Sequence, residues 1–269
     1  MIKHISFLLI FSILSCSLKG NIVILNGLTH HYKVENGQVY KGKISIENTS
    51  SQPQNVKLFL QDYVYHSDGS ASYTIPDRVK NLKSNTGWIM LNTDLVSLKG
   101  KEKTEIFYEI KVPEQTPDGG SYWSVIIAEP VEDIKPSNDQ QQGVNITSIV
   151  RYAIQIITDV NSEKAKPDLK FEGIKIEKEV GRKFLKVAMA NTGNLYCKLT
   201  VTAEIYHKKN GQKIGSFSSQ AMGLLPQTSK SFLIDLDKIP PAEYNAVLIA
   251  TDEDDNAFAL NVELEVKND

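Results

Sequence analysis

The chain has 269 residues, a formal net charge of −2 and a pI near 6.2. Its 30 Lys and Arg against 32 Asp and Glu are interspersed, which excludes a general basic field for nucleic acid and describes a solvated surface of mixed charge. With 41% hydrophobic residues, the length suits two domains, each able to bury a core of its own.

Residues 1–20 differ from the rest. Lys3 and His4 precede an apolar run from Ile5 to Leu14, followed by small residues, the plan of a secretory signal peptide. The run is shorter than the ~20 apolar residues that span a bilayer. Cleavage after Ser17 and cleavage after Gly20 both fit. Ile13-Leu14-Ser15-Cys16 also fits a lipobox, in which Cys16 would be lipidated and become the mature N-terminus. Both readings stay open, and both export the chain to the periplasm or the cell surface. No second hydrophobic segment follows, so no transmembrane segment is expected once the signal is removed. Removal would also leave Cys197 as the single cysteine, in the strand-like run Leu195 to Val201, where it reads as a buried structural thiol.

Short β-type segments then succeed one another. Asn21 to Leu28 reads as a first strand, and Glu35-Asn36-Gly37 as a tight turn. In Gly42 to Glu47, Ile44 and Ile46 face inward and the intervening polar residues outward. After the turn-rich Asn48 to Pro53, Val56 to Tyr65 is a long strand. Ser67-Asp68-Gly69-Ser70 turns and Ala71 to Ile75 is a short strand. Trp88 to Leu91 is an apolar patch expected to enter the core, sugar stacking by Trp88 being the alternative. Ile106, Tyr108, Ile110 and Val112 alternate, Pro113 stops the strand, and Tyr122 to Ile127 begins another. Asp133 to Gly143 is polar, without an apolar anchor, and reads as a flexible loop. Val144 to Val160 is expected to be one long strand, with Val150, Tyr152, Ile154 and Ile156 on one face. Asn161 to Pro167 is a charged linker ending in proline.

About seven further strands fit between Leu169 and Val266, a count typical of an immunoglobulin-like sandwich. They also echo what came before. Leu98 to Pro113 and Leu225 to Pro240 both span 15 positions, each followed by a turn and a Tyr-led strand at Tyr122 and Tyr244. Ile44 to Thr49 resembles Val187 to Thr192. The expected fold is therefore all-β, two consecutive immunoglobulin-like β-sandwich domains over residues 21–160 and 168–269, joined by a linker at 161–167.

No catalytic pattern accompanies this framework. His30 and His31 are adjacent, so on a strand they point to opposite faces and do not grip one metal. Asp252 to Asn256 lacks the ligand spacing of a calcium loop and reads as a hairpin turn. There is no GxSxG, HExxH or phosphate loop. The expectation is a non-enzymatic protein without cofactor or metal.

Ile44-Ser45-Ile46-Glu47-Asn48 with its following long strand, Asp68-Gly69 with Tyr73, Val96-Ser97-Leu98, Val112-Pro113 and the glycine turn before Tyr122 resemble two families. One is the two-domain periplasmic pilus chaperones; the other is the cell-surface proteins that interact with WxL proteins. The first resemblance implies a chaperone-like, pilus-assembly role in which the last strand of domain one is lent to a subunit. It makes Val150, Arg151, Tyr152, Ile154 and Ile156 the candidate binding residues, with Arg151 and either Arg182 or Lys183 as candidates for a basic anchor in the interdomain cleft. The second implies binding to surface proteins and peptidoglycan. An ordinary sheet strand is the plainer reading of Val144 to Val160. The function expected is protein binding at the bacterial cell envelope, the partner being a pilus or surface subunit. An adhesin or cell-wall glycan module is the alternative, favoured if Tyr63, Tyr65, Tyr73 and Trp123 form one exposed face.

Overall fold

A computed structural model describes residues 22–76, 83–131 and 149–267. The signal segment, Cys16 and the loop Asp133 to Gly143 lie outside these described residues.

The first sandwich uses β1 (Ile22–Ile24), β2 (Thr29–Val34), β3 (Val39–Asn48), β4 (Gln54–Tyr65), β5 (Ala71–Thr74), β6 (Ile89–Leu91), β7 (Leu95–Leu98), β8 (Lys103–Lys111), β9 (Gly120–Val131) and β10 (Tyr152–Val160). One sheet runs β1-β3-β8-β6; the other runs β2-β10-β9-β4-β5, with β7 also paired to β4. The alternation read in β3 places Ile44 and Ile46 in the core, where they meet Ile106, Ile110, Ile126 and Ile154. Residues Gly120 to Ala128 of β9 are buried throughout, because both faces of this central strand are covered. Tyr122 and Ile126 belong to the domain-one core, while Trp123 packs with the second domain.

The chain does not form the single first strand expected over Asn21 to Leu28. β1 pairs with β3, and the backbone then crosses to the opposite sheet, where β2 runs parallel to β10. Gly27, at φ +86°, takes the left-handed conformation in this crossing. The strand expected over Val144 to Val160 is also shorter among the described residues: pairing with β9 begins at Tyr152, and Ile149 to Arg151 precede it unpaired.

The second sandwich is built from β11 (Leu169–Glu179), β12 (Arg182–Asn191), β13 (Cys197–His207), β14 (Lys213–Ser218), β15 (Met222–Leu224), β16 (Thr228–Asp235), β17 (Ala242–Asp252) and β18 (Ala257–Val266). Its sheets are β11-β12-β16 and β14-β13-β17-β18, with β15 paired to β13.

The internal repeat is carried by matching hydrogen bonds. Tyr122 Oη donates to Asp118 O at 2.9 Å, and Tyr244 Oη donates to Pro240 O at 2.7 Å, each four residues back across a strand corner. Asn48 and Asn191 are fully buried. Asn48 Nδ2 donates to Gln52 O at 2.7 Å and Lys99 O at 3.0 Å; Asn191 Nδ2 donates to Leu195 O at 2.8 Å and Leu224 O at 3.3 Å. An amide is required here because it presents a donor to loop carbonyls and an acceptor to a loop N–H from one side chain.

The two sandwiches pack end to end through a polar and aromatic junction. Tyr65 accepts the Leu225 N–H and donates to Gly223 O, both at 3.1 Å. Ser67 N donates to Ser229 Oγ, and Ser231 Oγ donates to Ser67 O. Ser121 Oγ accepts the Tyr196 N–H at 2.7 Å and donates to the buried Asp159, whose other oxygen meets His31 Nε2 at 2.6 Å. At Gly120 (φ +117°) a Cβ would lie 2.1 Å from Asn194 O, so the turn approaches domain two too closely for any side chain.

Candidate binding edges

The five residues of the candidate site divide by position. Ile154 and Ile156 are fully buried in the domain-one core, so their side chains hold the sandwich together rather than facing a partner. Tyr152 packs partly against the same core. Arg151 is exposed and pairs with Glu129, its Nη2 2.6 Å and its Nε 2.9 Å from Oε1. Val150 is 42% exposed, and its neighbour Ile149 46%.

Main-chain pairing makes the start of β10 distinctive. Its inner edge is paired with β9 from Tyr152 to Val160. Its outer edge is paired with β2 only from Gln155 onward. Gln155 donates its N–H to Leu28 O at 2.8 Å, so the main-chain groups of alternate residues, Ala153 included, point to that outer side. The outer side of Ile149 to Ile154 therefore has no strand neighbour among the described residues, and exposed Ile149 and Val150 stand at its start.

The basic residues considered for an interdomain anchor lie elsewhere. Arg182 begins β12 at the end away from the linker and pairs with Asp235 and Asp237. Lys183 Nζ donates to Lys267 O at that same end. Arg151 stands at the opposite end of β10 from the linker. The lysine at the junction is Lys230, whose Nζ donates to Gly223 O at 2.8 Å and lies 4.2 Å from the centre of the Tyr65 ring. Burial lowers its pKa from the ordinary value. Nothing in its strand marked this role, since its contact across the junction joins it to Tyr65, more than 150 positions away.

The remaining candidates resolve as structure. Trp123 and Tyr65 are buried at the junction, with Trp123 Nε1 donating to Tyr63 O at 2.7 Å. Only Tyr73 of the four aromatics is largely exposed, stacked on Tyr63 with ring centres 4.8 Å apart. A continuous aromatic face for sugar rings is therefore not formed. His30 points inward to Tyr108 Oη at 2.7 Å and His31 outward to Asp159, the opposite facing expected of strand neighbours. In the acidic turn, Asp252 accepts the Asp254 and Asn256 N–H groups. Cys197 is buried, and burial, then Asp252 and Glu253, push its thiol up to about 12. Among the described residues no group of three His, Cys, Asp or Glu could hold a metal ion, and no helix is long and apolar enough to cross a membrane.

Strand count, pairing and corner tyrosines define two tandem immunoglobulin-like sandwiches. Residues 141–269, containing β10 and the whole second sandwich, match the family described as WxL Interacting Protein, host binding domain. No curated protein matches the chain. Several pilus-chaperone structures are similar in outline. The class 5 fimbriae chaperone CfaA has 12% identity and a TM-score of 0.46, covering 90% of this chain and 98% of that one. The CupB2 chaperone of Pseudomonas aeruginosa has 11% identity and a TM-score of 0.42, covering 90% and 100%. A chain of the CsuC–CsuE chaperone–tip subunit complex of Acinetobacter baumannii has 15% identity and a TM-score of 0.44, covering 89% and 97%. Both families suggested by the sequence motifs thus recur among the comparisons.

Proposed function

We propose that this chain is an exported, non-enzymatic protein-binding factor of a bacterial cell envelope. It acts in chaperone-like fashion or in surface assembly, by pairing main chain with an extended segment of a partner. The observation that carries the reading is an outer edge over Ile149 to Ile154 without a strand neighbour among the described residues, beside an inner edge paired from Tyr152 onward. Such an edge supplies main-chain hydrogen bonds for affinity, and exposed Ile149 and Val150 supply apolar contacts for selectivity. The family match over residues 141–269 supports protein binding in the same part of the chain. Localisation follows from the signal-like residues 1–20, with Cys16 as the lipid attachment point if the lipobox is used.

Pull-down from envelope extract tests the proposal. Recovery of a stoichiometric protein partner is expected, and replacing Ile149 and Val150 with Asp should abolish it while the protein stays folded. Retention only on isolated wall or glycan, or unchanged recovery by the double variant, refutes it.

A further inference from the structure

The two sandwiches correspond strand for strand in their pairing, except that the second has no counterpart of β2 or of the short β6 among the described residues. Ile22 pairs with Asn48 and Leu169 with Asn191, so β1 and the start of β11 hold the same position. Tyr122 pairs with Thr158 and Tyr244 with Leu264. β10 and β18 therefore correspond, Ile156 with Val262 and Asp159 with Glu265. In the first sandwich the chain leaves its sheet after β1 and returns as β2, alongside β10. In the second, β11 stays in its own sheet to Glu179, passing a bulge between Phe171 and Gly173. Among the described residues β18 pairs with β17 alone. The place that β2 fills in domain one is in domain two a cleft of about 650 Å³ between β11 and β18, with Ile174, Ile176, Val262 and Leu264 on its walls, lysines on its β11 side and Glu263 and Glu265 on its β18 side.

We propose that this cleft receives an extended segment of a partner protein, which adds as a strand parallel to β18 and alternates apolar with basic residues. β2 is the template for both features. Its inward Tyr32 and Val34 lie beside Thr158 and Val160, over the domain core. The equivalent neighbours in domain two are Leu264 and Val266, both nearly buried, so inward residues of the incoming strand must be apolar. Outward on β2, after Thr29, come an imidazole and a cation: Lys33 is the register partner of Asp159, and His31 Nε2 lies 2.6 Å from its carboxylate. β18 turns Glu263 and Glu265 outward at the corresponding places, 73% and 64% exposed. They meet Lys208 at 2.8 Å and Lys267 at 3.4 Å, surface pairs weak enough for an incoming cation to replace. The free edge of β18 supplies the main-chain bonds.

The proposal shares the protein-binding class of the reading above but uses a separate site. The probe is a fluorescent synthetic peptide of about eight residues alternating valine and lysine, long enough for one strand. Its anisotropy is followed on the whole chain at physiological salt. Saturable binding is expected, weakened by about tenfold when glutamate replaces lysine in the peptide and by about tenfold in Val262→Glu. The exposed double variant E263K/E265K, which leaves the core untouched, should reverse the preference between the two peptides. Absence of saturable binding by the wild-type chain, or an unchanged preference in E263K/E265K, overturns the proposal. A concentration-dependent dimer dissolved by Val262→Glu would assign the cleft to a second copy and overturn the partner assignment. The variant with Asp at positions 149 and 150 must bind the peptide as wild type does. Its loss of envelope partner with peptide binding retained separates the β10 edge from this cleft.

Discussion

Removing one oxygen atom at Tyr65 tests how the two sandwiches are coupled. The Tyr65 ring is 5% exposed at the junction, and its hydroxyl bridges two main-chain groups of domain two, the Leu225 N–H and Gly223 O, at 3.1 Å each. Tyr65→Phe keeps the ring, so the apolar burial is unchanged. It strands the Leu225 N–H in a buried site, whereas Gly223 O keeps the Lys230 ammonium as a donor at 2.8 Å. One stranded group costs about 1–3 kcal/mol. For a chain of this size, each kcal/mol lowers the melting temperature by about 2–4 °C, so a fall of about 2–12 °C follows. The bonds join the domains, so domain two should also separate from domain one in the unfolding profile. Calorimetry of wild type and variant reads both effects. Tyr122→Phe is the control: its lost bond, to Asp118 O, lies within domain one and should destabilise without separating the transitions. A Tyr65→Phe melting temperature within a degree of wild type, or a loss no different in shape from Tyr122→Phe, would show that the bridge does not couple the domains.

Other consequences can be measured on the same protein. Asn191→Asp keeps the size and the acceptors but removes the donor to Leu195 O and Leu224 O, and should cost about 2–4 kcal/mol in urea unfolding; a loss below that of an exposed substitution refutes the capping role. Ile154→Asp places a carboxylate in the fully buried core and should prevent folding, read by far-UV dichroism, whereas Val150→Asp at a 42% exposed position should leave the melt unchanged. The Cys197 thiol, pushed up to about 12 by burial, should resist a disulfide reagent at neutral pH and react only on unfolding. Burial also raises Tyr65 and Tyr196 to about 12, and Tyr63 and Tyr108 further. The unfolded chain ionises these tyrosines near 10 and the folded chain does not. Stability present below pH 10 is therefore lost as pH rises toward 12 and beyond, and phenolate absorbance should appear together with unfolding rather than before it.

The sequence alone determined whatever depends on neighbours along the chain. Alternation fixed the inward Ile44 and Ile46, proline and glycine fixed strand ends, and the recurrence of Leu, Pro and Tyr fixed the paired corners at Tyr122 and Tyr244. A strand's side-chain period of two is a local property, so a single row of residues reveals it. The division of the candidate site was not legible in this way. Val150, Tyr152, Ile154 and Ile156 share one parity, yet Ile154 and Ile156 are sealed in the core and Val150 is exposed, because the opposite sheet covers only part of the row. Which edge stays open depends on where the chain crosses between sheets. The crossing at Gly27 closes domain one beside β10, and its absence after Leu169 leaves β18 bare. Strand partners are chosen by packing between residues more than a hundred positions apart, as for His31 and Asp159, and no local pattern records that choice. The row of residues thus set which side chains are apolar, and the tertiary structure decided which of them are already used and which edges remain to be paired.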